Sequence, residues 1–198
     1  MDKTEQKILN AAIRVFASEG YEGATTRKIA EEADVNEVTL FRKFQSKENI
    51  LRAVITRNRE VILKTLDSVL RMEKEEDIET SLRALGRGLM KVMRERVNIM
   101  VILIAEGRRN PEVAEILESV VQTIVARISE YFEFQIKNGK MRYINPRTAA
   151  LAFLSYFCHM SQLRGVISED ILGNSEEEFA VFVDIFINGI LSAEENKK

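Results

Sequence analysis

Apolar residues recur along most of this chain at the three- and four-residue spacing that marks one face of an α-helix. In the first such segment, residues 4–19, they are Ile8, Leu9, Ala12, Ile13 and Phe16. Turn-forming residues are scarce, with two prolines and nine glycines in 198 residues. Because a chain of many short strands needs frequent turns, the sequence predicts an all-α fold of about nine helices.

Capping residues mark where several of these helices begin and end. Asp2 and Glu5 form a capping box for the first helix, and Gly20 follows its last periodic residue. The pairs Asn-Pro at 110–111 and 145–146 each place a proline at a first helical position. The last helix begins with a capping box of Ser175 and Glu178, and the charged residues 73–77 form a solvated connection. The predicted helices are 4–19, 26–33, 37–44, 47–71, 78–96, 111–138, 146–165 and 176–193.

Two short helices joined by a brief turn follow the first helix. The turn, residues 34–36, is so short that helices 26–33 and 37–44 must cross steeply, as in a helix-turn-helix. The second helix of such a motif fits the major groove of DNA. Val35, Leu40 and Phe44 are expected to hold this helix to the domain, whereas Asn36, Glu37, Thr39, Arg42 and Lys43 point outward.

Basic residues are concentrated after this motif, although the whole chain has a net charge of -2. From Arg42 to Lys64 there are seven basic residues (42, 43, 47, 52, 57, 59 and 64) against two acidic ones (48 and 60). This local excess fits a phosphate-binding surface. Taken alone it equally fits an ordinary charged helix surface, so the three-helix motif is what favours DNA binding.

Residues 5–55 resemble the TetR family of transcriptional repressors. The resemblance lies in Ile13–Tyr21, in Ala24–Ala30 and in Asp34–Leu51, whose residue types and spacings agree together. It implies a helix-turn-helix DNA-binding domain at 1–46 and a helical effector-binding and dimerisation domain at 47–198, connected by helix 47–71. The implied function is that of a homodimeric repressor of a palindromic double-stranded DNA operator, released by a small molecule.

The resemblance also suggests roles for single residues. Phe41 stands where the family usually has tyrosine, so a hydroxyl contact to phosphate is lost, and Asp34 replaces a usual glycine in the turn. Lys47 opens the fourth helix, where its ammonium and the helix N-terminus both attract phosphate. The predicted DNA-contacting residues are Thr26, Arg27, Asn36, Glu37, Val38, Thr39, Phe41, Arg42, Lys43 and Lys47.

The last two predicted helices are apolar nearly all round and must be covered on more than one side. A partner subunit is the simplest cover and would make a four-helix interface. The alternative is a core buried within one chain. The predicted interface residues are Phe179, Phe182, Ile185 and Phe186. A polar stripe of Ser155, His159 and Gln162 would face a ligand, the partner or solvent.

Helices 78–165 are expected to hold the effector. The candidate lining residues are Met90, Met93, Met100, Ile104, Ile124, Ile128, Tyr131, Phe153 and Phe157. Methionine-rich apolar surfaces adapt to varied ligands. For any single one of these side chains, however, the pattern favours plain core, and the pocket as a whole is implied mainly by the resemblance. Few charges interrupt these faces, so the expected ligand is apolar or amphipathic. Glu106, Arg108 and Arg109 would either transmit motion at a helix junction or form a solvated turn.

Other functional classes have little support in the sequence. It contains no phosphate-binding glycine loop and no metal-ligand cluster, so we expect no catalytic residue, no metal, no cofactor and no enzyme. One cysteine, no apolar signal core and no apolar run of roughly 20 residues predict a soluble cytoplasmic protein without a membrane span. Two alternatives remain: a DNA-binding protein whose C-terminal domain engages another protein, and an all-helical enzyme carrying a DNA-binding-like segment.

Overall fold

The computed structural model describes residues 2–70 and 77–190. Within these residues the fold is all-α, with nine helices and no strand, as predicted. The helices are α1 Lys3–Gly23, α2 Thr26–Glu32, α3 Glu37–Phe44, α4 Lys47–Val69, α5 Ile78–Gly107, α6 Pro111–Lys137, α7 Pro146–Leu163, α8 Glu169–Leu172 and α9 Ser175–Ile190.

The predicted boundaries hold best where a capping side chain sets them. Asp2 and Glu5 form the predicted capping box, and Asn145 accepts from the Thr148 backbone N–H at 2.9 Å. The start of α9 differs from the predicted capping box of Ser175 and Glu178. Its cap is Asn174, whose side chain accepts from the Glu176 backbone N–H at 2.9 Å. The helix therefore begins one residue before the predicted start.

Three segments differ from the predicted pattern. Gly20, with φ 71°, interrupts α1 rather than ending it, since a residue without a side chain tolerates this conformation and the helix resumes to Gly23. Helix α5 runs to Gly107, and the short α8 was not predicted. The charged residues 73–76 and the predicted helix end at 191–193 lie outside the described residues.

The chain forms two compact units whose limits differ from a division at residue 46. The first unit takes residues 1–60 and 98–120, and the second takes 61–97 and 121–198. The first is larger than the helix-turn-helix because α4, α5 and α6 add Val54, Leu103 and Val113 to its core. Three short helices expose too much apolar surface to form a core alone.

The core of the second unit is dominated by aromatic rings from α6, α7 and α9. The ring of Phe153 lies at its centre, with centroids 5.0 Å from those of both Phe157 and Phe186 and 6.4 Å from that of Phe132. Phe182 stacks on Tyr156 with ring centroids 3.7 Å apart. Edge-to-face and offset pairs of this kind add to the stabilisation from buried area.

Candidate functional site

The turn before α3 adopts the geometry that the sequence predicts. Asp34 has φ 53°, in the left-handed region that aspartate tolerates better than most residues. The Asn36 side chain accepts from the Val38 backbone N–H at 2.8 Å, so this predicted DNA-contacting residue serves as the N-cap of α3. Leu40 is fully buried, which anchors the helix to the first unit as predicted.

The outward face of α3 combines two apolar and two charged side chains. Val38 and Phe41 are 73% and 57% exposed, and they lie about one helical turn apart. Glu37 and Arg42 are exposed beside them, whereas Thr39 is half-buried. Exposed apolar side chains of this size on a short helix favour contact with a partner surface.

Two further predicted contacts, both on α2, are tied to neighbouring carboxylates. The Thr26 hydroxyl donates to Glu37 Oε1 at 3.0 Å. Arg27 Nε donates to Glu31 Oε1 at 3.0 Å, and this carboxylate raises the pKa of the Arg27 guanidinium. Both side chains lie near the start of α2, where we expect contact with the DNA backbone.

The cluster of basic residues is less available than the sequence suggests. Lys43 was expected to point outward, but its side chain is only 19% exposed and pairs with Asp2 and Glu5 of α1. Arg52 pairs with Glu112 at 2.7 Å. Arg42, by contrast, makes no ion pair with the described part of the chain. Carboxylates distant in sequence therefore neutralise part of the predicted excess charge.

Lys47 connects the start of α4 to the end of α1. Its Nζ donates to the Tyr21 carbonyl at 2.8 Å and lies 4.3 Å from the centroid of the Tyr21 ring. The Tyr21 hydroxyl donates to Glu48 at 3.2 Å, and burial together with this carboxylate raises the pKa of Tyr21. These contacts fix the N-terminus of α4, and they use one of the three ammonium protons of Lys47.

A cavity of about 260 Å³ lies in the second unit, between α5, α7 and the start of α9. Its lining residues are Met90, Arg94, Val97, Tyr156, Phe157, Met160, Ser161, Arg164, Gly165 and Ser175. Only Met90 and Phe157 were among the nine predicted lining residues. The two arginines were not predicted, because the spacing of apolar residues along a helix does not point to a charged lining residue.

The other seven predicted lining residues do not line this cavity. Five are buried in the core of the second unit, namely Met93, Ile124, Ile128, Tyr131 and Phe153. The remaining two, Met100 and Ile104, belong to the first unit. Helical periodicity identifies inward-facing side chains, but it cannot separate a cavity wall from a filled core.

Both α7 and α9 expose apolar side chains. Ile185 is 66% exposed, and Val181, one turn before it, is also exposed. On α7, Leu151, Ser155 and His159 are exposed along one stripe. Three of the four predicted interface residues have contacts within the subunit: Phe179 is buried, and Phe182 and Phe186 are half-buried against aromatic rings. Their place in a dimer interface stays a prediction.

Family models match both parts of the chain. The model of the bacterial regulatory proteins of the tetR family matches residues 8–54. The model of the C-terminal domain of AefR-like transcriptional repressors matches residues 80–191, which is more than half of the chain. The chain belongs to the TetR family. This TetR-family protein is therefore a DNA-binding transcriptional regulator rather than an enzyme.

Similar proteins cover nearly the whole length of this regulator. The transcriptional regulator UidR of Escherichia coli K12 is 27% identical over 192 residues, which cover 96% of this chain and 94% of UidR. Salmonella enterica GusR has the same fold, with a TM-score of 0.76, 23% identity and 94% coverage of each chain. AibR in complex with isovaleryl coenzyme A and operator DNA aligns with a TM-score of 0.69 at 20% identity, covering 93% of this chain and 96% of AibR.

Other kinds of site find no support in the described part of this regulator. No group of three potential metal ligands occurs among residues 2–70 and 77–190. Burial raises the pKa of the Cys158 thiol to about 11, so it stays protonated and a poor nucleophile near neutral pH. No helix in the described ranges is long and apolar enough to cross a membrane.

Proposed function

We propose that this TetR-family regulator is a homodimeric repressor that binds a palindromic operator and releases it when a small apolar or amphipathic molecule enters the cavity. The exposed face of α3 carries this proposal, since Val38, Phe41 and Arg42 are all exposed on it. AibR, a protein of the same fold, forms a complex with isovaleryl coenzyme A and operator DNA, which supports the binding of both kinds of partner by this fold.

In the proposed complex α3 lies in the major groove. Glu37 is suited to accept from a base amino group, and Arg42 to donate to guanine or phosphate. Lys47 stands beside α3 as a phosphate contact that uses the ammonium protons Tyr21 leaves free. Thr26 and Arg27 join it by exchanging their hydrogen bonds to Glu37 and Glu31 for phosphate. Asn36, Thr39 and Lys43 have a smaller share, because capping, partial burial and ion pairs engage them.

Arg42→Ala is expected to weaken operator binding and to lower the slope of log affinity against log salt by about one per subunit, because a phosphate contact releases about one counterion. Fluorescence anisotropy at several salt concentrations measures both quantities.

Lys43→Ala is the matched control. This neighbouring cation already pairs with Asp2 and Glu5, so the slope should change less than in Arg42→Ala. Equal slope changes in the two variants would contradict the assignment.

Val38 and Phe41 are expected to contact thymine methyl groups, the apolar feature of the major groove. Replacing a contacted thymine by deoxyuridine removes one methyl group, which costs about 0.8 kcal/mol and should weaken binding about fourfold. In Val38→Ala, replacing the thymine that Val38 contacts should no longer weaken binding. Val101→Ala removes another exposed apolar side chain from the first unit and should leave the deoxyuridine effect intact. Wild-type binding that is insensitive to every such replacement would refute the contact.

Dimerisation is proposed through the outer face of α7 and α9. This face exposes Leu151, Val181 and Ile185, and it places Ser155 and His159 where they can form hydrogen bonds with the partner subunit. A two-fold dimer presents two copies of α3 to successive major grooves about 34–36 Å apart, which is why the operator should be a palindrome.

Release of the operator is proposed to use α4 as a lever. This helix is continuous from Lys47 to Val69 and carries residues of both compact units. A ligand in the second unit that tilts α4 would change the separation of the two copies of α3. Such a ligand must bind the arrangement unable to hold DNA more tightly, and operator DNA must weaken ligand binding by the same factor.

The lever is tested with spin labels at Asn49, near Arg42 in the chain, in a Cys158→Ser background. We expect the distance between the two labels, measured by double electron–electron resonance, to change when a ligand that abolishes operator binding is added. We also expect operator DNA to lower the affinity for that ligand. An unchanged distance distribution would contradict the lever. It would favour a ligand that competes directly with DNA or that disorders the DNA-binding helices locally.

A further inference from the structure

The cavity of the second unit carries an unbalanced charge. Two arginines line it, Arg94 from α5 and Arg164 immediately after α7, and no aspartate or glutamate is among its lining residues. Two guanidinium groups at one cavity attract an anion, since the carboxylate of Glu169, beside Arg164, is not part of the lining.

The two guanidinium groups differ in how far the protein already engages them. Arg164 Nη1 donates to the Gly173 carbonyl at 2.9 Å and lies 4.0 Å from Glu169, whose side chain is 80% exposed. Arg94 makes no hydrogen bond or ion pair with residues 2–70 or 77–190. Arg164 is thus held in place by the backbone, while Arg94 is exposed to solvent and can exchange water for a ligand.

The rest of the cavity is mainly apolar. Met90 and Val97 flank Arg94 along one face of α5, and Phe157 and Met160 of α7 contribute further apolar surface. A ligand that is charged over its whole length would leave the apolar lining in contact with water. An uncharged ligand would leave the Arg94 guanidinium without an anionic partner. A ligand with an apolar body and one anionic group satisfies both parts of the lining.

We propose that the cavity binds a small amphipathic anion, a carboxylate, sulfonate or phosphate joined to an apolar body, whose anionic group is held by Arg94 and Arg164. This inference rests on the proposed function in one respect, that the cavity is the effector site. Arginine suits the role because its planar fork donates two parallel hydrogen bonds to such groups.

A pair of fluorescent probes tests the anion directly on the full-length protein. Anilinonaphthalene sulfonate and phenylnaphthylamine share an apolar ring system, but only the first carries a charge. We expect Arg94→Gln to weaken binding of the sulfonate about three- to tenfold, the range for losing one ordinary hydrogen bond, because solvent screens the exposed guanidinium. The substitution should leave phenylnaphthylamine binding unchanged. Arg164→Gln should act in the same direction.

The control variant is Arg87→Gln, which removes an exposed cation two helical turns before Arg94 and outside the cavity lining. It should change neither affinity. An equal loss of both probes in Arg94→Gln, or no loss of the sulfonate, would overturn the anion assignment. Arg164→Gln also removes the hydrogen bond to Gly173 and could unfold the protein. Arg94→Gln removes no hydrogen bond or ion pair among residues 2–70 and 77–190, so it decides the result in that case.

Operator release separates this inference from the proposed function. In one outcome, Arg94→Gln weakens binding of the sulfonate probe only, but no amphipathic anion releases operator from the wild type. This result would support the anion site and reject its role as the effector site. Release of operator by octanoate and by octanol alike, unaffected by Arg94→Gln, would keep the effector role and reject the anion. Release by octanoate only, lost in Arg94→Gln, is the result expected if both hold.

Discussion

Replacing Ile185 by glutamate is expected to leave this regulator monomeric and unable to hold its operator. Ile185 is 66% exposed on α9, so the substitution does not disturb the core of the subunit. In the proposed dimer, however, it would bury an unpaired carboxylate, which costs several kcal/mol. A cost of about 4 kcal/mol raises the dimer dissociation constant roughly a thousandfold.

Sedimentation velocity measures the oligomeric state of this variant, and circular dichroism establishes that its helices remain. The matched control is Val166→Glu, which places the same charge at an 89% exposed apolar residue outside α7 and α9 and should leave the dimer intact. Phe179→Glu is not a useful test, because Phe179 is buried within the subunit and its loss would unfold the protein. A dimeric Ile185→Glu variant that still binds operator would place the interface elsewhere.

Phe153→Ala is expected to cause the largest loss of stability among single alanine substitutions in the second unit. The Phe153 ring is fully buried and contacts the rings of Phe132, Phe157, Phe182 and Phe186. Removing a buried phenyl ring typically costs about 3–5 kcal/mol, a large share of the roughly 5–15 kcal/mol by which a domain is stable.

Urea unfolding followed by circular dichroism gives the change in free energy of unfolding. Tyr143→Ala is the control, since it also deletes an aromatic ring but from a side chain that is 86% exposed, and it should change stability by no more than about 0.5 kcal/mol. A loss below about 1 kcal/mol for Phe153→Ala would mean that the second unit repacks readily. That outcome would also remove the rigid wall on which the cavity depends.

Features that depend on neighbouring residues were predictable from the sequence. The capping box of Asp2 and Glu5, the left-handed Asp34 and the limits of α3 all follow from interactions within a few residues. The buried position of Leu40 follows equally from helical spacing and from the short turn. Local hydrogen bonding and side-chain spacing do not require knowledge of distant contacts, and so the helix-turn-helix could be recognised.

Features that depend on which distant residues meet were decided only by the tertiary structure. Lys43 appears in the sequence as a free cation on the DNA-binding helix, but the fold brings Asp2 and Glu5 to it across about forty residues of chain. Similarly, α9 is apolar nearly all round, and packing alone turns Phe179 inward and leaves Ile185 exposed. The cavity with Arg94 and Arg164 forms from α5, α7 and the start of α9 together. Periodicity reports one helix at a time, whereas burial, ion pairing and empty space are properties of several helices packed together.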